Sequence, residues 1–403
     1  MTAIAFLQAG GGLALLFIGG EILLRGAVGL SLRFGLSPLL IGLTVVALAT
    51  SMPELVVTLT AGIQGVPDIG VGNVVGSNIA NILLILGLAA LLCPIEREPR
   101  RILRDTAAMV IATGVFILLA CFEHMSFIHG AVMLVLLVLY LAYSYRVERR
   151  GFNEASTGLE AIEEAGATPS SAWLAVGLVV IGVIALGGGS ELLVRGATTI
   201  ARAAGVSETV IGLTLVAFGT SLPELATAIV AAFRGHTEVA LGNVLGSNIF
   251  NILLIMGALF VITPVTVAPE ILDFDIWALA VVTLIAVPVM LTGKRITRLE
   301  GAVFVLLYIA FVWVQFDPHK PARAGAAEMA EYVKPLKAAV DVLVEAIDRV
   351  DSASADDPAA PGAAAYDILT MFGTIAIAWS WAEIAAAILS GETRFLGESE
   401  KAR

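Results

Sequence analysis

The chain has 403 residues, 58% of them hydrophobic and only 14% charged, with a formal net charge of −11. A soluble domain carries about 25% charged residues, so this composition excludes an ordinary soluble enzyme or binding module. No basic stripe marks a nucleic-acid footprint, and much of the acidity lies around Glu154–Glu164 and after Asp317, away from the apolar segments.

A bilayer-spanning helix needs about 20 mostly apolar residues. On that criterion about ten spans follow one another, near residues 3–28, 37–63, 69–92, 105–121 and 127–145, then 173–198, 208–233, 238–262, 273–291 and 297–315. No basic stretch or cleavage site precedes the apolar run from Ile4, so that run is read as a retained span. Cys93 and Cys121 border apolar segments at unrelated positions and are read as small hydrophobes rather than as a disulfide or metal ligands. His124, His129, His236 and His319 share no spacing and receive no ligand role.

The expected organisation is a first five-helix unit at 1–145, a cytoplasmic linker at 146–172, a second five-helix unit at 173–316 and a helical C-terminal extension at 317–403. The stretch Arg146–Ser171 is polar and acidic, with the composition of a flexible or weakly helical linker. In the extension, Pro318 to Asp351 reads as a linker and an amphipathic helix, and Asp351–Pro361 is rich in Ala, Asp and Pro. Leu369 to Leu389 is apolar around Glu383. It fits an eleventh span, an interfacial helix or, best, the partner of the preceding helix in a small bundle. This extension faintly resembles the helical C-terminal segment of acyl-CoA dehydrogenases, and no function is assigned to it.

The two units repeat. Gly20-Glu21-Ile22-Leu23-Leu24-Arg25-Gly26 returns as Ser190-Glu191-Leu192-Leu193-Val194-Arg195-Gly196, and Ile41-Gly42-Leu43-Thr44 as Ile211-Gly212-Leu213-Thr214. Thr50-Ser51-Met52-Pro53-Glu54 returns as Thr220-Ser221-Leu222-Pro223-Glu224, and Gly72-Asn73-Val74-Val75-Gly76-Ser77-Asn78-Ile79 as Gly242-Asn243-Val244-Leu245-Gly246-Ser247-Asn248-Ile249. The offset holds at 170 residues from Glu21 to Gly87. Five spans per unit is odd, so the second unit must enter the membrane from the opposite side. The expected fold is therefore an all-α polytopic membrane protein of two inverted five-helix repeats, with its site near the midplane between them. Arg97, Arg100, Arg101 and Arg104, then Arg146, Arg149 and Arg150, then Lys294, Arg295 and Arg298 all fall on one side by this parity. The positive-inside rule makes that side cytoplasmic and the N-terminus extracytoplasmic, in a multi-pass protein of the cell membrane.

Pro53 has no amide hydrogen and its ring crowds the carbonyl of residue 49, so the second span must kink or break just before it. Carbonyls around Ala47–Thr50 lose helical partners there, which is tolerated at membrane depth only where backbone lines a cavity or is buried in protein. With the hydroxyls of Thr50 and Ser51 and the Glu54 carboxylate they make a set of hard oxygen ligands, suited to sodium and calcium. Pro223 does the same for Ala217–Thr220 and Glu224. A plain alternative is a structural kink whose glutamate is satisfied by a neighbour. Two matching copies of a charge that is expensive in a membrane argue against it. Asn73, Ser77 and Asn81 form a polar stripe spaced by four, repeated by Asn243, Ser247 and Asn251. Ser77, Asn81, Ser247 and Asn251 can lie beside the glutamates, whereas Asn73, Asn78, Asn243 and Asn248 are read as glue between helices whose Gly-x-x-x-Gly spacing allows close approach. Glu21/Arg25 and Glu191/Arg195 are read as i, i+4 ion pairs with snorkelling arginines.

These paired motifs resemble the sodium/calcium exchangers of the cation/calcium antiporter superfamily over about residues 3–315. The resemblance implies ten helices and a cluster of sites lined by Thr50, Ser51, Glu54, Ser77 and Asn81 with Thr220, Ser221, Glu224, Ser247 and Asn251, completed by the carbonyls of Ala47 and Ala217. It also implies that the first and sixth helices slide to alternate access. Some relatives carry an aspartate where Asn251 stands, and asparagine there argues against potassium cotransport. No cofactor is expected. The resemblance implies Na+ and Ca2+ as the transported ions and the bilayer as the surroundings, and a monomer is the expected functional unit. Two carboxylates close together in a low-dielectric cavity repel, and one Ca2+ or several Na+ would neutralise them in competition, giving sodium/calcium antiport. The nearest rival is a proton/calcium exchanger, although Asn-Ala-x-Glu rather than Thr-Ser-x-Pro-Glu is typical of those relatives. An intramembrane enzyme would need a nucleophile–base pair or metal motif, and none stands in the spans; a channel would give conductance without coupled counterflow.

Overall fold

Inside a bilayer every backbone polar group must be satisfied by protein, which favours helices throughout. The computed structural model describes residues 2–96, 99–120, 122, 124–152, 171–203, 217–268 and 271–315, and helices dominate them. Most of the linker, the repeat segment Ile211–Thr214, Cys121, His319 and the C-terminal extension beyond 315 lie outside the described residues.

The elements run in chain order as α1 (Thr2–Phe34), α2 (Pro38–Thr50), α3 (Met52–Ile63), α4 (Pro67–Leu92), β1 (Ile95–Glu96), α5 (Pro99–Ala120), β2 (His124–Met125) and α6 (Phe127–Phe152). Then come α7 (Ala172–Ala203), α8 (Ala217–Thr220), α9 (Leu222–Phe233), α10 (Thr237–Ile262), β3 (Val265–Thr266), α11 (Ile271–Leu291), β4 (Arg295–Ile296) and α12 (Arg298–Gln315). Among the described residues seven helices are long and apolar enough to cross a membrane, or eight with the bent pair α2–α3 as one span. Two further spans expected from the sequence differ for local reasons. The beginning of one lies outside the described residues, leaving the 12-residue α9. The other, α12, is 18 residues long and ends at the border of the described residues. At about 1.5 Å per residue, α1 with its 33 residues outruns a hydrocarbon core of about 30 Å.

By their contacts the described residues divide into two units, a larger one within Gly10–Leu193 and Phe218–Tyr308, and a smaller one drawn from the described parts of Met1–Ala9, Val194–Ala217 and Ile309–Arg403. In the smaller unit Gly196 meets the backbone of Ala5 and Ala9, where a Cβ would come within 3 Å of Ala9. In the larger unit α4 and α10 form the centre, with 83% and 78% of their apolar windows buried, against 22% for α6. That contrast separates the two helices bearing the Asn/Ser stripes from the apolar-faced periphery. Side chains such as Val138, Leu139 and Ile111 stand exposed there, as lipid-facing residues would.

Two short strand pairs tie the ends of these helices together. β1 pairs antiparallel with β4, Ile95 opposite Ile296 and Glu96 opposite Arg295. β2 pairs antiparallel with β3, His124 opposite Thr266 and Met125 opposite Val265. The turns after α3 and α9 also match: Gly65 and Gly235 hold φ of 78° and 76°, a region open to glycine at little cost.

Candidate cation site

Proline at position 53 breaks the helix as its missing amide requires. α2 and α3 meet at Ser51 with a bend of 45°. Ser51 (φ −80°, ψ 6°) and Ser221 (φ −89°, ψ 2°) adopt the same non-helical backbone in front of Pro53 and Pro223. Residue 53 offers no amide to Ala49, and the Ser51 amide still donates to the Ala47 carbonyl at 3.0 Å. The kink therefore leaves Ala47 one lone pair rather than two. In the second copy the turn is one residue tighter, the Ser221 amide donating to the Phe218 carbonyl at 3.1 Å. Ala217 opens α8.

The larger unit brings the two motifs together by exchange. The Ser51 hydroxyl donates to Glu224 Oε1 at 3.0 Å, and the Ser221 hydroxyl donates to Glu54 Oε1 at 3.1 Å. Thr50 lies against the Glu224 side chain and Thr220 against that of Glu54. Each carboxylate thus faces the hydroxyl pair of the other copy. Ser77 joins through Ser221, 3.4 Å away. Glu54 and Glu224 are each only 1% exposed; Ser51, Ser77, Asn81, Ser221, Ser247 and Asn251 are buried with them, and Thr220 is half-buried.

Asn81 and Asn251 stand where α4 and α10 pass into wider π-helical turns, Asn81–Ile85 and Asn251–Met256. Such turns often accompany functional sites, and no spacing rule in the sequence announces them. Several buried atoms here have no hydrogen-bond partner: Glu54 Oε2, Glu224 Oε2, both amide atoms of Asn81, Ser247 Oγ and Asn251 Oδ1. An ionised carboxylate left this way in a dry interior costs several kcal/mol. Neutral hydroxyl and amide oxygens around two carboxylates are a donor set for a hard cation. Among the described residues no group of three or more His, Cys, Asp or Glu is gathered in one place.

Of the asparagines read as glue, Asn243 and Asn78 touch residues of this centre with their side chains. Asn243 Oδ1 accepts from the Thr50 hydroxyl at 3.1 Å, and Asn243 Nδ2 donates to the Glu224 carbonyl at 3.4 Å. Asn251 Nδ2 donates to Asn78 Oδ1 at 3.0 Å, and Asn78 Nδ2 to the Asn248 carbonyl at 3.3 Å. Asn73 donates to Thr58 at 3.3 Å. The repeat of the asparagines was visible in the sequence, but which of them face the glutamates depends on helix rotation.

The Glu21–Arg25 pair forms as its spacing requires, at 2.9 Å. Glu21 also takes Arg234 at 2.8 Å on its other oxygen, a long-range pair that spacing could not reveal.

The family described as sodium/calcium exchanger protein matches residues 4–146 and 174–316, nearly all of both repeats. The chain belongs to the sodium/calcium exchanger family. As a member of this family of the cation/calcium antiporter superfamily it is a multi-pass secondary transporter, not an enzyme. It is similar to the putative antiporter CaxA of Alkalimonas amylolytica, 36% identical over 309 residues, which are 76% of this chain and 97% of the relative. It is 34% identical to the inner membrane protein YrbG of Escherichia coli (strain K12), over 75% of this chain and 93% of YrbG. A solved structure of the sodium-calcium exchanger NCX_Mj superposes with a TM-score of 0.67 at 30% identity, covering 78% of this chain and all of that one. The last segment, residues 313–401, matches a separate family described as acetyl-CoA dehydrogenase C-terminal like. The sequence resemblance noted for the extension points the same way.

Proposed function

We propose that this protein exchanges Na+ for Ca2+ across the cell membrane by alternating access, the ions competing for one site built on Glu54 and Glu224. The observation that carries the reading is the crossed pairing of Ser51 with Glu224 and Ser221 with Glu54, which leaves a second oxygen of each carboxylate buried and unpartnered. Two such oxygens call for positive charge. One Ca2+ supplies both charges at once; Na+ must bind at least twice to do the same, using the additional oxygens of Thr50, Thr220, Ser77, Ser247, Asn81, Asn251 and the carbonyls of Ala47 and Ala217. Because both loads need the same oxygens, the ions exclude each other, and a sodium gradient drives calcium the other way.

The proposed architecture is ten spans in two inverted repeats, 1–145 and 173–316, joined by the cytoplasmic linker 146–172 and followed by the helical extension 317–403. The strand pairs support it. β1 and β4 belong to connections predicted to be cytoplasmic, and β2 and β3 to connections predicted to be outside. The N-terminus is then extracytoplasmic, and a single chain holds the whole site. For the first and sixth helices, α1 and α7, sliding as a pair is supported by their close contact: a Cβ at Gly182 would come within 3 Å of Leu23, and one at Gly189 within 3 Å of Leu16.

Purified protein in liposomes loaded with Na+ and diluted into Na+-free buffer with Ca2+ is expected to take up Ca2+, and Glu54→Gln or Glu224→Gln to abolish that uptake. Uptake that ignores sodium and follows an imposed pH gradient would instead identify a proton/calcium exchanger.

A further inference from the structure

We infer that Asn243 is a positioning residue of the exchange site: its amide oxygen accepts the hydrogen bond of the Thr50 hydroxyl, turning the Thr50 lone pairs toward the transported ion and keeping the Ala47 carbonyl available. The inference deepens the proposed function and rests on it.

Close packing of α10 on α2 makes the contact possible. At Gly42 a Cβ would lie 2.6 Å from the Val239 carbonyl oxygen, and at Gly246 it would lie 2.6 Å from the Ala47 Cβ. With backbones this near, a side chain as short as asparagine spans the gap. Asn243 is completely buried there.

Which way its amide points follows from what it faces. The Glu224 carbonyl can only accept, so the Asn243 atom 3.4 Å from it must be the donor Nδ2. That fixes Oδ1, a pure acceptor, 3.1 Å from the Thr50 hydroxyl. Thr50 must therefore be the donor in that pair.

A hydroxyl has one proton, and besides the Glu224 side chain that it lies against three acceptors surround this one: the Val46 carbonyl at 3.1 Å, the Ala47 carbonyl at 3.4 Å and Asn243 Oδ1 at 3.1 Å. Threonine in a helix readily bonds back to its own preceding turn. If Thr50 did so at Ala47, it would occupy the lone pair that the Ser51 amide leaves free, and would remove one oxygen from the site. Donation to Asn243 avoids this and leaves both Thr50 lone pairs on the site side. The same amide joins the first motif at Thr50 to the backbone of the second at Glu224. Its counterpart Asn73 donates instead to Thr58 at 3.3 Å, and the residue that corresponds to Thr58 in the second repeat is Ala228, which has no hydroxyl. The two amide nitrogens have therefore taken different partners.

The test is a double-mutant cycle on the Na+ dependence of Ca2+ uptake in proteoliposomes, with Asn243→Ala, Thr50→Val and the double variant. Removing one buried hydrogen bond of this kind should raise the half-saturating Na+ concentration about fivefold to tenfold. If Asn243 acts through Thr50, the double variant should be no worse than Thr50→Val alone. Multiplying effects would overturn the inference, as would an Asn243→Ala variant with wild-type Na+ dependence. Asn243→Asp serves if the alanine variant fails to fold, since it keeps the acceptor at Oδ1. Within that background Thr50→Val should still raise the Na+ requirement, and no further rise would count against the proposal. Glu54→Gln is run beside them. Exchange surviving in Glu54→Gln removes the underlying site assignment, whereas a dead Glu54→Gln with multiplying Asn243 and Thr50 effects removes only the role of Asn243.

Discussion

Ser51 reaches Glu224 and Ser221 reaches Glu54 at nearly the same distance, 3.0 and 3.1 Å, yet a few ångströms further out the two repeats differ. Ser221 also bonds Ser77, whereas Ser247 has no partner. Asn251 is tied to Asn78, whereas neither amide atom of its counterpart Asn81 is bonded. The Ser51 turn closes on the fourth residue back and the Ser221 turn on the third. Glu21 has Arg234 beside it, and the repeat position corresponding to Arg234 is Gln64. Duplication conserved the atoms that meet the charge and left the atoms that hold them free to diverge.

The largest effects are expected at the serines. A hydrogen bond to a charged group is worth about 1.5–3 kcal/mol, so Ser51→Ala and Ser221→Ala should each weaken half-saturation by Ca2+ by roughly tenfold to a hundredfold. Ser221→Ala should be the worse, because Ser77 loses its partner as well. Equal effects in flux titrations would mean that the Ser221–Ser77 contact contributes nothing.

Next come the asparagines. Asn251→Asp replaces the donor facing Asn78 Oδ1 with an oxygen, and Asn78 is held in orientation by the Asn248 carbonyl. Asn81→Asp displaces no such bond. Thermal melts in detergent without added cation should place Asn251→Asp below Asn81→Asp by about 1–3 kcal/mol, the range for an unsatisfied buried group. Identical melts would show that Asn78 turns freely and that the asymmetry has no energetic weight.

The smallest effect is expected at Arg234. Its side chain is 58% exposed and that of Glu21 22%, and exposed ion pairs contribute about 0–1 kcal/mol. Arg234→Gln, which copies Gln64 into the second repeat, should lower stability by no more than that, and less at high salt. A loss well beyond it would show that the pair is shielded from water in the bilayer.

Much of this was legible in the sequence, because membrane burial makes polar residues conspicuous. The duplicated Thr-Ser-x-Pro-Glu segments, the break at proline and the helix boundaries near residues 38, 67 and 127 all follow from apolar length and from what Pro53 lacks. What was not legible depends on rotation and register. The crossing of Ser51 and Ser221 to the opposite glutamates needs the two repeats face to face, and the π-helical turns at Asn81 and Asn251 follow from no spacing. The Gly-x-x-x-Gly setting of Asn243 points to helix packing. Asn243 does pack, and the same close approach brings it to Thr50.

Competition of the two ions for oxygens contributed by both repeats is what the proposed function requires. It is tested most directly by titrating Ca2+ binding to the purified protein at a series of Na+ concentrations, in the wild type and in Glu54→Gln and Glu224→Gln. The account predicts that the apparent Ca2+ dissociation constant rises more steeply than the first power of Na+, and that either substitution alone removes high-affinity Ca2+ binding. Ca2+ affinity unchanged by Na+, or retained when one glutamate is neutralised, would contradict it.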